Sequence, residues 1–180
     1  MTSRLVVVSG LPASGKSTIG TLLGQRLSMP LIDKDVMLEE LFDSLGSPDA
    51  TERSRLSRAS DEGLYALAAA SPTAILVNWW DHASAPARLR GISSSFVEVF
   101  CDCPTEVAAA RFLSRSRHRG HHDQSRTPRE IHESFEGLRG AHGGPLGMGE
   151  VIRVDTGRVV DADLLTTRVR RAVDAITPPD

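Results

Sequence analysis

At 180 residues, 40% of them hydrophobic and 24% charged, the chain has the length of one domain that buries roughly 70% of its unfolded surface. A formal charge of -2 supplies no general basic field for nucleic acid, and no apolar stretch approaches the ~20 residues of a membrane span. Neither a nucleic-acid nor a membrane partner is expected.

Short β-rich runs alternate with longer helical patterns, which predicts stacked βαβ units and a parallel sheet in one domain over 1–180. RLVVVS reads as the first strand. KSTIGTLLGQRL follows as a helix with Ile19, Leu22, Leu23 and Leu27 on one face. MPLIDKD reads as a second strand, and Val36 to Leu45 as a helix that GSPD breaks. A helix through ERSRLSRASDEGLYALAAA stops at Ser71-Pro72, and TAILVNWW gives the third strand, closed by Asp81-His82. SSFVEVFCD is the fourth strand, after which Pro104 opens the helix PTEVAAARFLSR.

SRHRGHHDQSR is polar and aperiodic and predicts a mobile loop. Thr127 and Glu130 form a capping box at the start of TPREIHESFEGL. RGAHGGPLGMG is a connector, EVIRVD the fifth strand, and DADLLTTRVRRAVDAI the closing helix. Cys101 and Cys103 stand two apart in an extended run, too close to bridge without distortion, so they read as reduced thiols of a cytoplasmic protein.

Gly10 to Ser17 spell GLPASGKS, an unbroken match to GxxxxGK[ST] between an apolar strand and an amphipathic helix. Glycines at 10 and 15 let the backbone curl until its N–H groups point inward as a nest for phosphate oxygens. Pro12, Ala13, Ser14, Gly15 and Thr18 complete the predicted cradle. Lys16 would meet the outer phosphates and the Ser17 hydroxyl a Mg²⁺ ion. Of 21 basic residues only Lys16 and Lys34 are lysines, and both lie in stretches that look chemical.

Asp33-Lys34-Asp35 ends the second strand, where alternation would turn both carboxylates to one side. Asp33 is assigned to the metal side and Asp35 to accepting a proton from an attacking hydroxyl. NWWDH ends the third strand. Trp79 and Trp80 would point to opposite faces, so one of them lines a pocket, and Asn78, Asp81 and His82 either bind a polar acceptor or cap the next helix. Arg55 and Arg58, three apart, are further candidates for an anionic substrate.

GLPASGKST, the acidic DKD, VFCDCPTEVAAARFLSR and RVDTG, in that order, resemble the small P-loop kinases: the AAA_33 and zeta-toxin-like proteins, shikimate and gluconate kinases, and chloramphenicol phosphotransferase. The resemblance implies a three-layer α/β/α fold with a five-stranded parallel sheet of order 2-3-1-4-5. It implies ATP and Mg²⁺ as cofactors, Arg111 stacked on adenine, Arg115 reaching phosphate, and Thr156 of RVDTG in the nucleotide set. A short lid, about 116–128, would bring Arg117 or Arg119 over the transferring group. NWWDH replaces the glycine-rich signature of shikimate kinases, and DKDV is not the GVDS of the chloramphenicol enzyme. The expectation is a phosphotransferase acting on a hydroxyl of a small polar molecule (a sugar acid, nucleoside or antibiotic-like compound), as a monomer or homodimer. A nucleotide or nucleotide-sugar kinase, and a nucleotide-dependent switch, are the alternatives.

Overall fold

The computed structural model describes residues 3–46, 49–121 and 127–176. Five strands, β1 (Arg4–Ser9), β2 (Leu31–Asp33), β3 (Thr73–Val77), β4 (Phe96–Asp102) and β5 (Glu150–Asp155), form a parallel sheet of order β2-β3-β1-β4-β5. The sequence-based order and class hold. Leu5 to Val8 of β1 are fully buried, because a parallel strand covered on both faces must be apolar at every position.

Helix α1 (Lys16–Leu27) and helix α7 (Ala162–Asp174) cover one face, where Ile19, Leu23, Leu165 and Val169 pack on Val6, Val8, Val97 and Val99. Helix α3 (Ala50–Ala70) and a short α4 (Ala85–Arg90) cover the other, placing Leu64, Ala68 and Leu89 on Leu5, Val7 and Leu76. Full burial of one such side chain stabilises by about 1.5–3 kcal/mol. Helices α5 (Thr105–Ser114) and α6 (Pro128–His142) form a hairpin around Phe112, Ile131 and Phe135. The predicted capping box of Thr127 and Glu130 starts α6.

Three boundaries differ from expectation. β2 stops at Asp33, whose carboxylate accepts from the Asp35 N–H and caps α2 (Lys34–Leu45), so Lys34 and Asp35 are helical. The capping carboxylate ends the strand there. β3 stops at Val77, which leaves NWWDH in a loop, and α4 occupies a stretch without clear helical periodicity. No helix among the described residues is long and apolar enough to cross a membrane.

The chain leaves β1 toward β3 on one side and β4 on the other, and this reversal opens a crevice at the C-terminal edge of the sheet. Pairing of Asp33 with Val77 and of Ser9 with Phe100 brings the ends of β1, β2, β3 and β4 to that edge.

Candidate active site

The loop from Gly10 to Gly15 curls through left-handed backbone at Gly10 (φ 136), Ala13 (φ 55) and Gly15 (φ 95). A Cβ at Gly10 would lie 2.7 Å from the Cys101 carbonyl oxygen and 2.8 Å from Ser14 Oγ, so only glycine fits. The strand feeding the loop is anchored from below. Ser9 Oγ donates to Glu98 Oε1 at 2.5 Å, and the same fully buried carboxylate accepts from the N–H groups of Leu146, Gly147 and Met148 at 2.7–3.0 Å. On the other side of β1, Trp80 Nε1 donates to the Val8 carbonyl at 2.8 Å.

Lys16 Nζ folds back to donate to the Leu11 carbonyl at 2.7 Å. Burial lowers its pKa to about 8 against the opposing pull of Cys101 and Asp35. Ser14 Oγ is buried without a hydrogen-bond partner among the described residues. A curled backbone with inward N–H groups beside a lysine suits a phosphate, whose oxygens satisfy both together. The Ser17 hydroxyl donates to Asp33, a mostly buried carboxylate whose pKa burial raises and that bond moderates. Two hard oxygen donors suit Mg²⁺, which keeps waters and takes substrate phosphates for its other positions. Among the described residues no three histidine, cysteine or acidic side chains gather as an all-protein metal cage.

A cavity of about 1000 Å³ runs from this loop to α2 and α3. Pro12, Ala13, Gly15, Lys16, Ser17 and Thr18 line one end, joined by Arg111, Arg115 and Thr156. Gly10 and Ser14, also of this loop, do not line the cavity. Arg111 Nη1 lies 3.6 Å from Cys103 Sγ, and Arg115, the C-cap of α5, stands over the Phe112 ring with Cζ 4.6 Å from its centroid. Thr156 N donates to the Asp102 carbonyl at 2.9 Å, which ties the end of β5 to that of β4. Both cysteines are free and buried, and burial pushes the Cys101 thiol up to about 12.

Asp35 faces the cavity with its side chain 46% exposed, but by way of the first turn of α2 and not by strand alternation. Enclosure works to raise its pKa, yet Arg117, then Lys34, His121 and Lys16 outweigh it and hold the carboxyl below its ordinary value. Arg117 pairs directly with Asp35. Of the lid segment, 122–126 lie outside the described residues. Its first part, through a 3-10 turn at Arg119–His121, sits on α2. His118 Nε2 lies 3.0 Å from Asp43, His121 Nε2 2.8 Å from Glu39, and both rings contact Phe42. A Cβ at Gly120 would strike the Phe42 ring at 2.4 Å, so glycine permits this seating.

The sequence-matched model of the AAA_33 family, described as an AAA domain, covers residues 5–138, from β1 through this phosphate loop into α6. The chain belongs to the AAA_33 family. An adenylyl-sulfate kinase from Burkholderia ambifaria is 33% identical over 119 residues, 59% of this chain and 62% of the relative. The chain therefore spans less than two thirds of that relative. A candidate kinase from Chloroflexus aurantiacus superposes with a TM-score of 0.81 at 25% identity over 98% of both chains. A shikimate kinase from Bacteroides thetaiotaomicron (TM-score 0.60, 17% identity, 94% of this chain and 95% of that one) and a gluconokinase from Sinorhizobium meliloti (0.56, 18%, 96% and 91%) share the fold. This AAA_33 chain thus shares its fold with these kinases.

Several expected site residues of the AAA_33 chain lie elsewhere. Arg119 is exposed and outside the cavity, because the 3-10 turn sends it away from the side that Arg117 occupies. Asp81 is exposed and accepts from Ser84 N and Oγ and from Ala83 N, a turn cap before α4 that lowers its pKa. His82 packs on His142 with centroids 5.0 Å apart and does not line the cavity. Trp79 does line it, half exposed, while Trp80 is buried. Asn78 also lines it, its Nδ2 donating to Asp61 at 2.9 Å.

Arg55 and Arg58 are exposed on the outer side of α3. The same helix turns Arg53 and Ser57, four apart, into the cavity, where Ser57 Oγ accepts from Lys34 Nζ at 2.8 Å. Sequence reasoning missed both. The only available signal was the i, i+4 spacing from Arg53 to Ser57, on the face that also carries buried Ser60 and Leu64.

Proposed function

We propose that the chain is an ATP- and Mg²⁺-dependent phosphotransferase acting on a hydroxyl of a small polar molecule. One observation carries the reading: a glycine-turned loop with a buried lysine shares one cavity with the carboxylate of Asp35. A phosphate nest with no acid opposite would serve binding alone.

The loop amides and Lys16 hold the β and γ phosphates, and Arg111 and Arg115 close over the nucleotide from α5. Ser17 and Asp33 hold the metal. ATP supplies the phosphoryl group, and Mg²⁺ supplies neutralisation of the charge that builds on its oxygens. Asp35 accepts the proton of the acceptor hydroxyl as the oxygen–phosphorus bond forms and the bond to the β-phosphate oxygen breaks. Arg117 exchanges Asp35 for the transferring phosphoryl, which frees the base and stabilises the charge that shifts toward ADP.

A second reading, a nucleotide as acceptor, is favoured by the similarity to adenylyl-sulfate kinase over 59% of the chain. Both readings are tested by ATP calorimetry with Mg²⁺, followed by ADP release over a panel of sugars, sugar acids, nucleosides and nucleotides including adenylyl sulfate. Acceptor-dependent ADP release is expected. ATP hydrolysis that no acceptor stimulates would favour a nucleotide switch instead.

A further inference from the structure

This inference rests on the phosphotransferase reading and names the class of acceptor. Beyond Asp35 the cavity is walled by Lys34, Arg53, Ser57, Asn78 and Trp79. Most of its polar groups have partners. Asn78 donates to Asp61, Lys34 donates to Ser57 and stands 3.9 Å from Asp35, and Asp35 itself is paired with Arg117. Arg53 differs. Its Nε is buried and has no hydrogen-bond partner among the described residues.

A buried guanidinium N–H without an acceptor has lost its water and gained nothing in exchange. Arg53 also adds to the positive charge felt by Lys34, whose pKa burial lowers first and Arg117 and Arg53 lower further. The carboxylates on the cavity wall are committed, Asp33 to Ser17 and Asp35 to Arg117, so the wall beyond Asp35 carries surplus positive charge. The missing complement is an oxygen acceptor with negative charge, and the planar guanidinium fork matches a carboxylate or phosphate.

We propose that the acceptor carries an oxyanion, which Arg53 grips with its guanidinium beside Lys34 while the Trp79 ring covers the carbon frame. Held there, the acceptor presents its hydroxyl toward Asp35. Arg53 is a specificity-determining residue and takes no part in the proton or phosphoryl transfer.

The test measures ADP release with matched acceptors: glucose, gluconate and glucose 6-phosphate, and adenosine with adenosine monophosphate. Wild type, Arg53→Gln, Arg53→Lys and the exposed-site control Arg58→Gln are compared. Stimulation is expected from anionic members alone, and the better of gluconate and the phosphates distinguishes a carboxylate from a phosphate. Arg53→Gln should raise KM for the active member about tenfold or more, with kcat within about threefold, as the loss of a charged hydrogen bond to a bound group predicts. Arg53→Lys should recover part of the loss, and Arg58→Gln should match wild type. Equal stimulation by neutral counterparts, stimulation by no anionic member, or an unchanged KM in Arg53→Gln would overturn the proposal. ATP calorimetry on the same preparations separates the two readings: failure of wild type to bind ATP sinks the phosphotransferase itself, whereas intact ATP binding confines the failure to the acceptor class.

Discussion

The guanidinium of Arg117, carried by the segment after α5, is paired with the carboxylate of Asp35 in the first turn of α2. The pair joins a candidate phosphoryl-stabilising cation to the candidate base, so one side chain cannot be removed without changing the other. Arg117→Ala should lower kcat roughly 10³-fold, the low end of what an arginine at a transferring phosphoryl contributes. It should also move the acid limb of the pH–rate profile upward, because enclosure then raises the Asp35 pKa with its largest opposing cation gone. A profile that keeps its acid limb in place would separate the two residues.

Lys16 gives the second pH prediction. With a pKa of about 8 in the free protein, it is mostly charged at neutrality and loses its proton as pH rises past that value. The kcat/KM for ATP should therefore fall about tenfold per pH unit above about 8, since this ratio reports ionisations of the free enzyme. Bound phosphates restore the charge, so kcat should fall at higher pH. A flat kcat/KM to pH 9.5 would contradict the burial of this ammonium.

Glu98 supports the site without lining it. Its carboxylate accepts one hydroxyl and three backbone N–H groups, and Glu98→Ala would leave those three donors without their acceptor. At about 1–3 kcal/mol for each stranded donor, a loss of roughly 3 kcal/mol or more is expected. Thermal unfolding should show this as a fall in Tm of roughly 6–12 °C for a chain of this size. A Tm within 2 °C of wild type (about the shift expected from 1 kcal/mol or less) would show that water replaces the carboxylate.

Trp79 is half exposed on the cavity and Trp80 is buried against Tyr65. An acceptor in the cavity should quench the Trp79 emission, and the quenching should disappear in Trp79→Phe with the fold intact. Persistence of the signal in that variant would place the acceptor elsewhere.

The phosphate loop was legible in the sequence because everything it needs is local: two glycines, a lysine and a serine between an apolar strand and an amphipathic helix. Strand order followed from the resemblance and not from periodicity. Asp35 was found for an incomplete reason, since the Asp33 carboxylate caps α2 and changes the backbone from strand to helix two residues early. Arg53 was illegible among 19 arginines, because which side of α3 faces the cavity depends on how the helix docks on the sheet and not on spacing alone. Asp81 and His82 looked like pocket residues because a strand was expected to continue through them; with β3 ending at Val77, they belong to the turn before α4.

The central claim is that Lys16 and its loop hold ATP while Asp35 readies a hydroxyl to receive the outer phosphoryl group. Transfer from γ-labelled ATP to the active acceptor, measured in a single turnover with wild type, Lys16→Ala and Asp35→Asn, tests it most directly. The account predicts that Lys16→Ala loses ATP binding, and that Asp35→Asn binds ATP as wild type does but transfers label about 10²–10⁴-fold more slowly. Transfer by Asp35→Asn at the wild-type rate would contradict it.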